Sequence, residues 1–474
     1  MMTKLLKMFT VLCLSAFVLS GCNDDDNAVV KEQTDDDDNQ ELVGNYKIAV
    51  ASDTHYFDQS LLIKNGSAFK DLLRFDRKLL LESGEILDNM FEQIIAQNPQ
   101  FLMIPGDLTK DGEMISHVNF AKKLKLVEDA GVPVFVIPGN HDLNNPHAFE
   151  FDGNKRRAVA HVNPDEFKVV YKDFGYDESE QVEAGPRLSY VAEPVDGLWL
   201  ISIDSNIYEN NIAEKFPRTG GALDKETLDW VLRKIKEGKS KGKKMIAMMH
   251  HGIIDHFKHQ AVLAKDYLVD DNMNITEAFA RAGLQFVFTG HAHAQDVSMR
   301  TIQNNEIYDI QTGSSITYPC PYRTVTLTDD KFSIRSHDIL LNSKTTANKE
   351  LRAYAYDDVY LSIFDSIDSI LEGSNNSSQL RNAIVSVVKF IRDINRPLLQ
   401  PLITEIYTNL AAGDEEGVKT QNIDSSTGLK IKTMDYVKDI FNRLGLTSLY
   451  PLVDDMTYDV WPSDNNLDIP LRNN

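Results

Sequence analysis

The sequence predicts an α/β protein, and three observations point to this class. Five runs of aliphatic and β-branched residues each lead into an aspartate, asparagine or histidine. Segments with helical spacing of apolar residues lie between these runs, and stretches that alternate polar and apolar residues accompany them. Continuous apolar runs of this length are typical of strands buried on both faces. The chain of 474 residues is also long enough for more than one domain.

Five buried strands are predicted, each followed by a polar group. They are 46–50 before Asp53, 101–104 before Asp107, 132–137 before Asn140, 245–249 before His250, and 284–288 before His291. A residue just past such a strand lies at its carboxyl end, where open α/β sheets place their ligand crevice. We therefore expect groups from several strands to meet at one edge of a sheet. Helices are predicted over 85–97, 118–130 and 225–236, and further strands from Ser189 and Arg323.

The polar groups at these positions are of the types that bind metals. Imidazole nitrogen with carboxylate and amide oxygen, and without thiolate, favours Zn, Mn or Fe. The donors outnumber the ligands of one tetrahedral ion, which indicates two adjacent metals that share a bridging carboxylate. A single aspartate or histidine after a strand is more often a helix cap or a satisfied polar residue, and Asp142 also fits a turn cap. Five such motifs in this order favour the metal site.

The series of motifs resembles the signature of a known family. The motifs are Asp53-Thr54-His55, Gly106-Asp107, Gly139-Asn140-His141-Asp142, His250-His251 and Gly290-His291-Ala292-His293. They match the D-x-H, G-D, G-N-H-[DE], H and G-H-x-H pattern of the calcineurin-like metallophosphoesterases, over residues 46–339. The resemblance implies a four-layer α/β/β/α sandwich of two mixed sheets. It also implies a metal-dependent phosphoric ester hydrolase with two divalent metal ions.

The resemblance assigns roles to the motif residues. One metal would be held by Asp53, His55, Asp107 and His293, and the other by Asp107, Asn140, His250 and His291, with Asp107 as the bridge. His250 is preferred to His251 because the family's ligand is the first residue after the strand, although the neighbour offers the same chemistry. His141 matches the histidine that faces the substrate phosphate. With Asp142 beside it in sequence, it is the candidate proton donor of the catalytic site.

Two positions depart from related branches of the family. The purple acid phosphatase branch has a tyrosine three residues after the G-D aspartate, where this chain has Lys110. A tyrosinate–iron site is therefore not expected, and the metals are expected to be Mn, Fe(II) or Zn. Gly252 stands where many members have proline after the histidine pair. Two such cations make hydroxide available near neutral pH and neutralise phosphate oxygens, so hydrolysis of phosphate esters is the expected reaction.

Two long segments, 56–77 and 143–180, directly follow metal motifs and should shape the choice of substrate. Their basic residues are candidate phosphate contacts, although solvated surface side chains are the commoner role. These candidates are Lys64, Arg74, Arg77, Lys155, Arg156 and Arg157. His256 and His259 lie near the histidine pair, and an exposed loop is the expected position for both.

The N-terminus predicts an exported lipoprotein. Lys4 and Lys7 precede an apolar stretch, 11–19, which is too short to span a bilayer. The following Leu19-Ser20-Gly21-Cys22 resembles a bacterial lipoprotein box. Residues 1–21 would then be the signal peptide, and lipid on Cys22 would anchor the protein to a bacterial membrane, at the outer membrane or cell surface. The alternative is an ordinary signal peptide, or an N-terminal tail that contains a cysteine by chance.

Residues 22–44 are acidic and contain almost no apolar side chain before Leu42, which predicts a flexible tether. The acidic residues after Cys22 also resemble surface-export signals of Bacteroidota lipoproteins, with a solvated spacer as the equal alternative. The net charge of −22, from 71 acidic and 49 basic residues, disfavours long nucleic acid as a partner. A small phosphoester remains an expected partner because bound metals supply local positive charge.

The metallophosphoesterase domain is predicted over 45–342, and a C-terminal domain over 343–474. From Ala347 onward glycine is scarce and apolar residues recur at helical spacing: Leu361, Phe364, Ile367 and Ile370, then Ile384, Val387, Val388 and Ile391. This extension is expected to be all-α and to pack beside the catalytic domain, with its apolar positions in a core.

The motifs and the helical extension look closest to bacterial class III-like cyclic nucleotide phosphodiesterases. The expected function is therefore hydrolysis of small extracytoplasmic phosphodiesters such as cyclic nucleotides. Phosphomonoesterase or acid-phosphatase-like activity and phospholipid phosphodiesterase activity are alternatives, because such enzymes share the metal motifs. A non-enzymatic surface lipoprotein that binds a ligand or glycan is an alternative of another class. The intact set of ligands argues against it.

Overall fold

The computed structural model describes residues 45–177, 182–257 and 260–373. It also describes short pieces of the C-terminal extension, namely 400–401, 404–405, 407–409, 411–413, 421–423, 430–432, 438 and 464–471. The predicted signal peptide, the lipid site Cys22 and the tether lie outside the described residues. So do His259 and the helical pattern from Ile384 to Ile391.

The described residues form eighteen strands and nine helices. The strands are β1 Tyr46–Val50, β2 Leu62–Lys64, β3 Phe101–Pro105, β4 Val134–Ile137, β5 Phe149–Asp152, β6 Lys155–Ala158, β7 Val182–Ala184, β8 Tyr190–Val195, β9 Leu198–Ile203, β10 Lys244–Met249, β11 Phe286–Thr289, β12 Asp296–Ile302, β13 Asn305–Gln311, β14 Pro321–Leu327, β15 Lys331–Asp338, β16 Gln421–Ile423, β17 Lys430–Lys432 and β18 Asn466–Pro470. The helices are α1 Ser67–Phe75, α2 Ser83–Ala96, α3 Met114–Asp129, α4 Pro164–Val170, α5 Asn211–Glu214, α6 Lys225–Ser240, α7 Gln260–Leu263, α8 Asn272–Ala282 and α9 Leu351–Gly373. None of these described helices is both long and apolar enough to cross a membrane.

Two mixed sheets form the centre of the fold. The first has six strands in the order β18-β15-β14-β1-β3-β4, and the second has seven in the order β12-β13-β11-β10-β9-β8-β7. In the first, β1, β3 and β4 run parallel while β14, β15 and β18 pair antiparallel. In the second, β9, β10, β11 and β13 run parallel, with antiparallel strands at both ends. The predicted pair of mixed sheets is confirmed.

An apolar layer separates the two sheets, and helices cover their outer faces. Successive residues of β1 point to opposite faces of the sheet, and both faces are covered by apolar layers. The chain is therefore apolar at every position from Ile48 to Ala51. Ile48 and Val50 pack into the layer between the sheets, whereas Ala49 and Ala51 pack towards the helices, and all four are fully buried. Helices α2 and α3 pack on the first sheet, and α6 and α8 on the second. This is the predicted four-layer α/β/β/α sandwich.

The two long segments after the metal motifs join each other. Strand β2, from the segment 56–77, pairs with β5, and β5 pairs with β6, both from the segment 143–180. Together they form a small three-stranded sheet beside the main sandwich. The two segments thus form one small sheet at the carboxyl ends of the strands that carry the metal motifs.

The C-terminal extension is helical where Leu351–Gly373 forms α9, as expected. The expectation of an entirely helical extension is wrong, because β16 and β17 form a hairpin and β18 pairs antiparallel with β15 of the first sheet. The physical reason is the alternation in 466–470, where Ile469 is buried between solvent-facing neighbours. The described end of the extension is therefore part of the catalytic sheet.

Candidate metal centre and active site

All seven predicted metal ligands lie together in the structure. They follow β1, β3 and β4 of the first sheet and β10 and β11 of the second. The ligand atoms form two groups, Asp53, His55, Asp107 and His293 in one and Asp107, His250 and His291 in the other, and within each group they lie within 4.8 Å of one another. The expectation of a single sheet edge is thus corrected, because two facing sheets supply the ligands.

The first group surrounds a point between four side chains. The Nε2 atoms of His55 and His293 are 2.9 Å apart. His293 Nε2 lies 3.4 Å from Asp53 Oδ1, and His55 Nε2 lies 3.5 Å from Asp107 Oδ2. Donor atoms of different residues therefore face one another at distances that a shared cation would bridge.

The second group shares Asp107 with the first. His250 Nε2 lies 3.5 Å from Asp107 Oδ2 and 3.0 Å from Asn140 Oδ1. The ring of His291 lies 4.7 Å from that of His250. The amide of Asn140 thus belongs to the second group, and the Asp107 carboxylate is placed where it can bridge two ions.

The hydrogen bonds of the histidine pair distinguish its two members. His250 Nδ1 donates to the carbonyl of Pro105 at 2.9 Å, which leaves Nε2 as the ring nitrogen that faces the ligand group. Both ring nitrogens of His251 are occupied, Nδ1 by Ser205 Oγ at 2.8 Å and Nε2 by the Thr219 carbonyl at 2.9 Å. Burial lowers the pKa of His251 to about 3, so this ring is neutral. These contacts favour His250 as the ligand.

The backbone at the ligands has unusual dihedral angles. Asp53, His55, Asp107, His291 and His293 have φ values of 48°, 36°, 50°, 71° and 55°. Non-glycine residues rarely adopt this left-handed region, and each instance costs about 1–3 kcal/mol. Interactions elsewhere in the fold must therefore offset the cost of holding these residues in place.

The motif glycines are required by close packing around the carboxylates. A Cβ at Gly139 would collide with the side chain of Asp107, and a Cβ at Gly290 would collide with Asp53 and Ser52. The carboxylates therefore occupy the space that any other residue would need. This explains in physical terms why a glycine precedes the functional residue in these motifs.

The donor set fits two divalent metal ions. Burial lowers the pKa of His55 and of His291 well below the ordinary value, so both rings are neutral and keep a lone pair for a metal. Burial raises the pKa of Asp107, but the imidazoles of His250, His141 and His55 outweigh it and hold this pKa well below the ordinary range. A buried carboxylate that several imidazoles surround is an arrangement that a pair of cations can stabilise.

His141 contacts a carboxylate that the sequence did not single out. Its Nδ1 lies 2.9 Å from Asp111 Oδ1, and its backbone N–H donates to Asp107 Oδ1 at 2.9 Å. Burial lowers the pKa of His141, but Asp107 and the hydrogen bond that the ring donates to Asp111 raise it above the ordinary value overall. The ring can therefore carry a proton, and with Nδ1 held by Asp111 its Nε2 is available to a substrate oxygen.

The side chain of Asp142, the second residue predicted for the catalytic site, contacts backbone N–H groups rather than the His141 ring. Its two carboxylate oxygens accept hydrogen bonds from the backbone N–H groups of Gly139, Leu108 and Thr109 at 2.8–3.0 Å, and it is fully buried. Burial and the nearby Asp107 raise the pKa of Asp142 to about 6. The carboxylate ties the loop after β3 to the loop after β4, so it acts on the site by positioning rather than by contact with substrate.

A cavity of about 650 Å³ opens over the two ligand groups. The segment 56–77 lines one part with Leu72 and Arg77, and the segment 143–180 lines another with His147 and Phe149. The prediction that both segments border the crevice is confirmed. Tyr407 of the C-terminal extension completes the wall.

The six basic candidates separate into two sets. Arg77 and Arg156 line the cavity, whereas Lys64, Arg74, Lys155 and Arg157 do not. Two lysines outside the candidate set, Lys78 and Lys110, also line it. Lys78 lies one position beyond the first segment and Lys110 lies between the two, so neither belonged to the segments expected to border the crevice.

His256 is buried, so the expected exposed loop is wrong for this residue. Its Nδ1 lies 2.6 Å from Asp296 Oδ1, and its Nε2 lies 3.2 Å from Asp309 Oδ2. Burial lowers the pKa of His256, but the two carboxylates raise it to about 10 overall. Asp309 also accepts hydrogen bonds from the backbone N–H groups of Ile253 and Ile254. The charged cluster therefore holds the loop after β10 against β12 and β13.

The fold and the site together define a metal-dependent phosphoesterase. The calcineurin-like phosphoesterase family model matches residues 46–295, which is more than half of the chain, and the chain belongs to that family. Members of this family are metal-dependent phosphoesterases with a dinuclear metal site, and the two Asp/His groups of this chain could hold such metals.

The individual proteins that resemble this chain share little sequence identity with it. A probable cyclic nucleotide phosphodiesterase from Pseudoalteromonas sp. (strain SM9913) is 30% identical over 122 residues, which is 25% of this chain and 45% of that protein. The match thus spans less than half of the relative's length. A dimetal phosphatase from Danio rerio is 13% identical with a TM-score of 0.45, covering 62% of this chain and 96% of its own. A purple acid phosphatase from yellow lupin (Lupinus luteus) is 10% identical with a TM-score of 0.41, covering 65% and 52%.

Proposed function

We propose that this protein is a phosphodiesterase that hydrolyses small phosphodiesters, with cyclic nucleotides as the leading substrate class. The observation that carries this proposal is the cavity over the ligand groups. Its volume of about 650 Å³ is in the range of small-molecule sites. A diester carries organic groups on both sides of phosphorus, and a cavity of this size has room for both.

The cavity wall suits a nucleotide. Phe149 and Phe151 provide aromatic surface, and the polar groups lie at the ligand clusters. Aromatic side chains bind a planar base by stacking. The similarity to a probable cyclic nucleotide phosphodiesterase supports the same substrate class.

The roles proposed for the residues follow from their contacts. Two divalent ions, held by Asp53, His55, Asp107, Asn140, His250, His291 and His293, would supply the hydroxide nucleophile and neutralise the phosphate oxygens when bound. His141 would donate a proton to the leaving oxygen. Asp111, bonded to Nδ1, would hold the His141 ring in position.

Steady-state kinetics with matched substrates test the proposed activity. The metal-loaded protein should hydrolyse bis(p-nitrophenyl) phosphate and 3′,5′-cyclic AMP with a kcat/KM at least about tenfold above that for p-nitrophenyl phosphate, because the cavity accommodates the second ester group. A preference for the monoester would contradict the diesterase assignment. Full metal content without turnover of any ester would instead support the non-enzymatic alternative.

We also propose that the protein is anchored outside the cytoplasm by lipid on Cys22. The supporting feature is an N-terminal sequence that resembles a lipoprotein signal and precedes an acidic segment. The Cys22→Ser variant should leave the membrane fraction, because the acyl chains are the proposed attachment. Cell fractionation with immunoblotting measures this, and kcat/KM of the purified protein without the signal serves as the control. Continued membrane association of the variant would contradict the lipid anchor.

A further inference from the structure

Four basic side chains line the cavity, and two of them are already neutralised. Lys78 Nζ lies 3.5 Å from Asp76, while Lys110 is bonded to Asp111 and lies 3.9 Å from Glu113. Both lysines therefore have carboxylate partners inside the protein. The other two, Arg77 and Arg156, form no ion pair with any residue that the structure describes.

Arg77 differs from Arg156 in its burial. Arg156 is exposed, with its guanidinium 4.9 Å from the ring centre of Phe149. Arg77 is half-buried, and its Nε atom is buried with no hydrogen-bond acceptor among the described residues. A buried N–H of a charged group without an acceptor is costly, so an acceptor that arrives with a ligand would be stabilising.

The ring of Tyr407 holds the Arg77 side chain in place. The guanidinium lies 5.1 Å from the ring centre, within the range of a cation–π contact. Tyr407 is 4% exposed and lines the same cavity. The N–H groups of a guanidinium form a planar fork, which suits the oxygens of a phosphate.

We propose that Arg77, supported by Tyr407, is an anion-binding group that contacts a phosphate oxygen of the substrate. This inference rests on the proposed function only in its choice of substrates, because inorganic phosphate presents the same oxygens. The oxygens belong either to the phosphate that is cleaved or to a second phosphate on the same substrate. The C-terminal extension thereby contributes to substrate recognition through Tyr407.

Calorimetric titration of the metal-loaded protein with inorganic phosphate tests the contact directly. Arg77→Gln should weaken phosphate binding by about 10- to 100-fold, the effect of losing one hydrogen bond to a charged group. Tyr407→Leu should weaken it by a smaller factor, whereas Tyr407→Phe keeps the ring and should leave it nearly unchanged. Arg157→Gln is the matched control, because Arg157 is paired with Glu150 and Asp152 outside the cavity wall.

Kinetics with two diesters then identify which phosphate is bound. A higher KM of Arg77→Gln for bis(p-nitrophenyl) phosphate places the contact on the cleaved phosphate. A higher KM only for uridine diphosphate glucose places it on a second phosphate. Unchanged phosphate affinity in Arg77→Gln, or loss of bound metal from this variant, would overturn the proposal. If no diester is turned over, the proposed function fails while the calorimetric result still decides the role of Arg77.

Discussion

Asp107→Asn is expected to abolish phosphoester hydrolysis and to lower the metal content below two ions per chain. The Asp107 carboxylate belongs to both ligand groups, 3.5 Å from His55 Nε2 and 3.5 Å from His250 Nε2. An amide has no negative charge and only one oxygen, so it cannot serve both ions equally. The loss in kcat/KM should be on the order of 10³-fold or more, above the usual cost of one preorganised electrostatic contact.

Metal analysis by mass spectrometry and initial-rate kinetics together check this result. Asp129→Asn is a suitable control because Asp129 lies exposed at the end of α3 and is paired only with Lys125 at the surface. It should retain both ions and full activity. Turnover close to wild type in Asp107→Asn, with two ions bound, would refute the bridging role.

His141→Ala is expected to keep both metal ions and to lose activity according to the leaving group. The ring is held by Asp111 and lies at the cavity rather than within either ligand group. Esters with poor leaving groups need a proton on the departing oxygen, so kcat should fall by about 10²–10⁴-fold. Nitrophenolate is a weak base that departs without a proton, so kcat for nitrophenyl esters should fall much less.

A comparison of kcat for alkyl and nitrophenyl diesters measures the difference. Asp111→Asn is the companion variant, since it keeps the imidazole but removes the charge that holds it. Equal losses on both ester types would instead mean that His141 positions the phosphate. Loss of metal from His141→Ala would make His141 a ligand.

The metal ligands were predictable because each motif combines a local strand with the polar residue at its end. Such a segment folds in nearly the same way wherever the strand sits in a sheet, so the order of motifs was enough to place Asp53, Asp107 and His291 together. The α/β class followed from the same runs, because strands that are buried on both faces need apolar layers on each side. The four-layer sandwich itself was implied by the family resemblance.

Contacts between distant segments were not predictable in this way. Asp111 pairs with His141 across thirty positions, and nothing in the local sequence distinguishes it from a solvated carboxylate. The contact of Arg77 with Tyr407 joins the first insertion to the extension. His256 lies in a polar stretch typical of a surface loop, and only the pairing of β12 with β13 brings Asp296 and Asp309 to it. These three contacts depend on tertiary packing, and the local pattern of the sequence carries no signal for them.

The pairing of β18 with β15 affects how the chain reaches its folded state. Arg335 of β15 contacts the carbonyl of Leu467 across 132 positions of sequence, so the ribosome releases one strand well before its partner. Until then, β15 is an open edge whose unpaired N–H and C=O groups can accept any extended chain. Every metal ligand has been synthesised by residue 293, yet the sheet that carries Asp53, Asp107 and Asn140 closes only after residue 470.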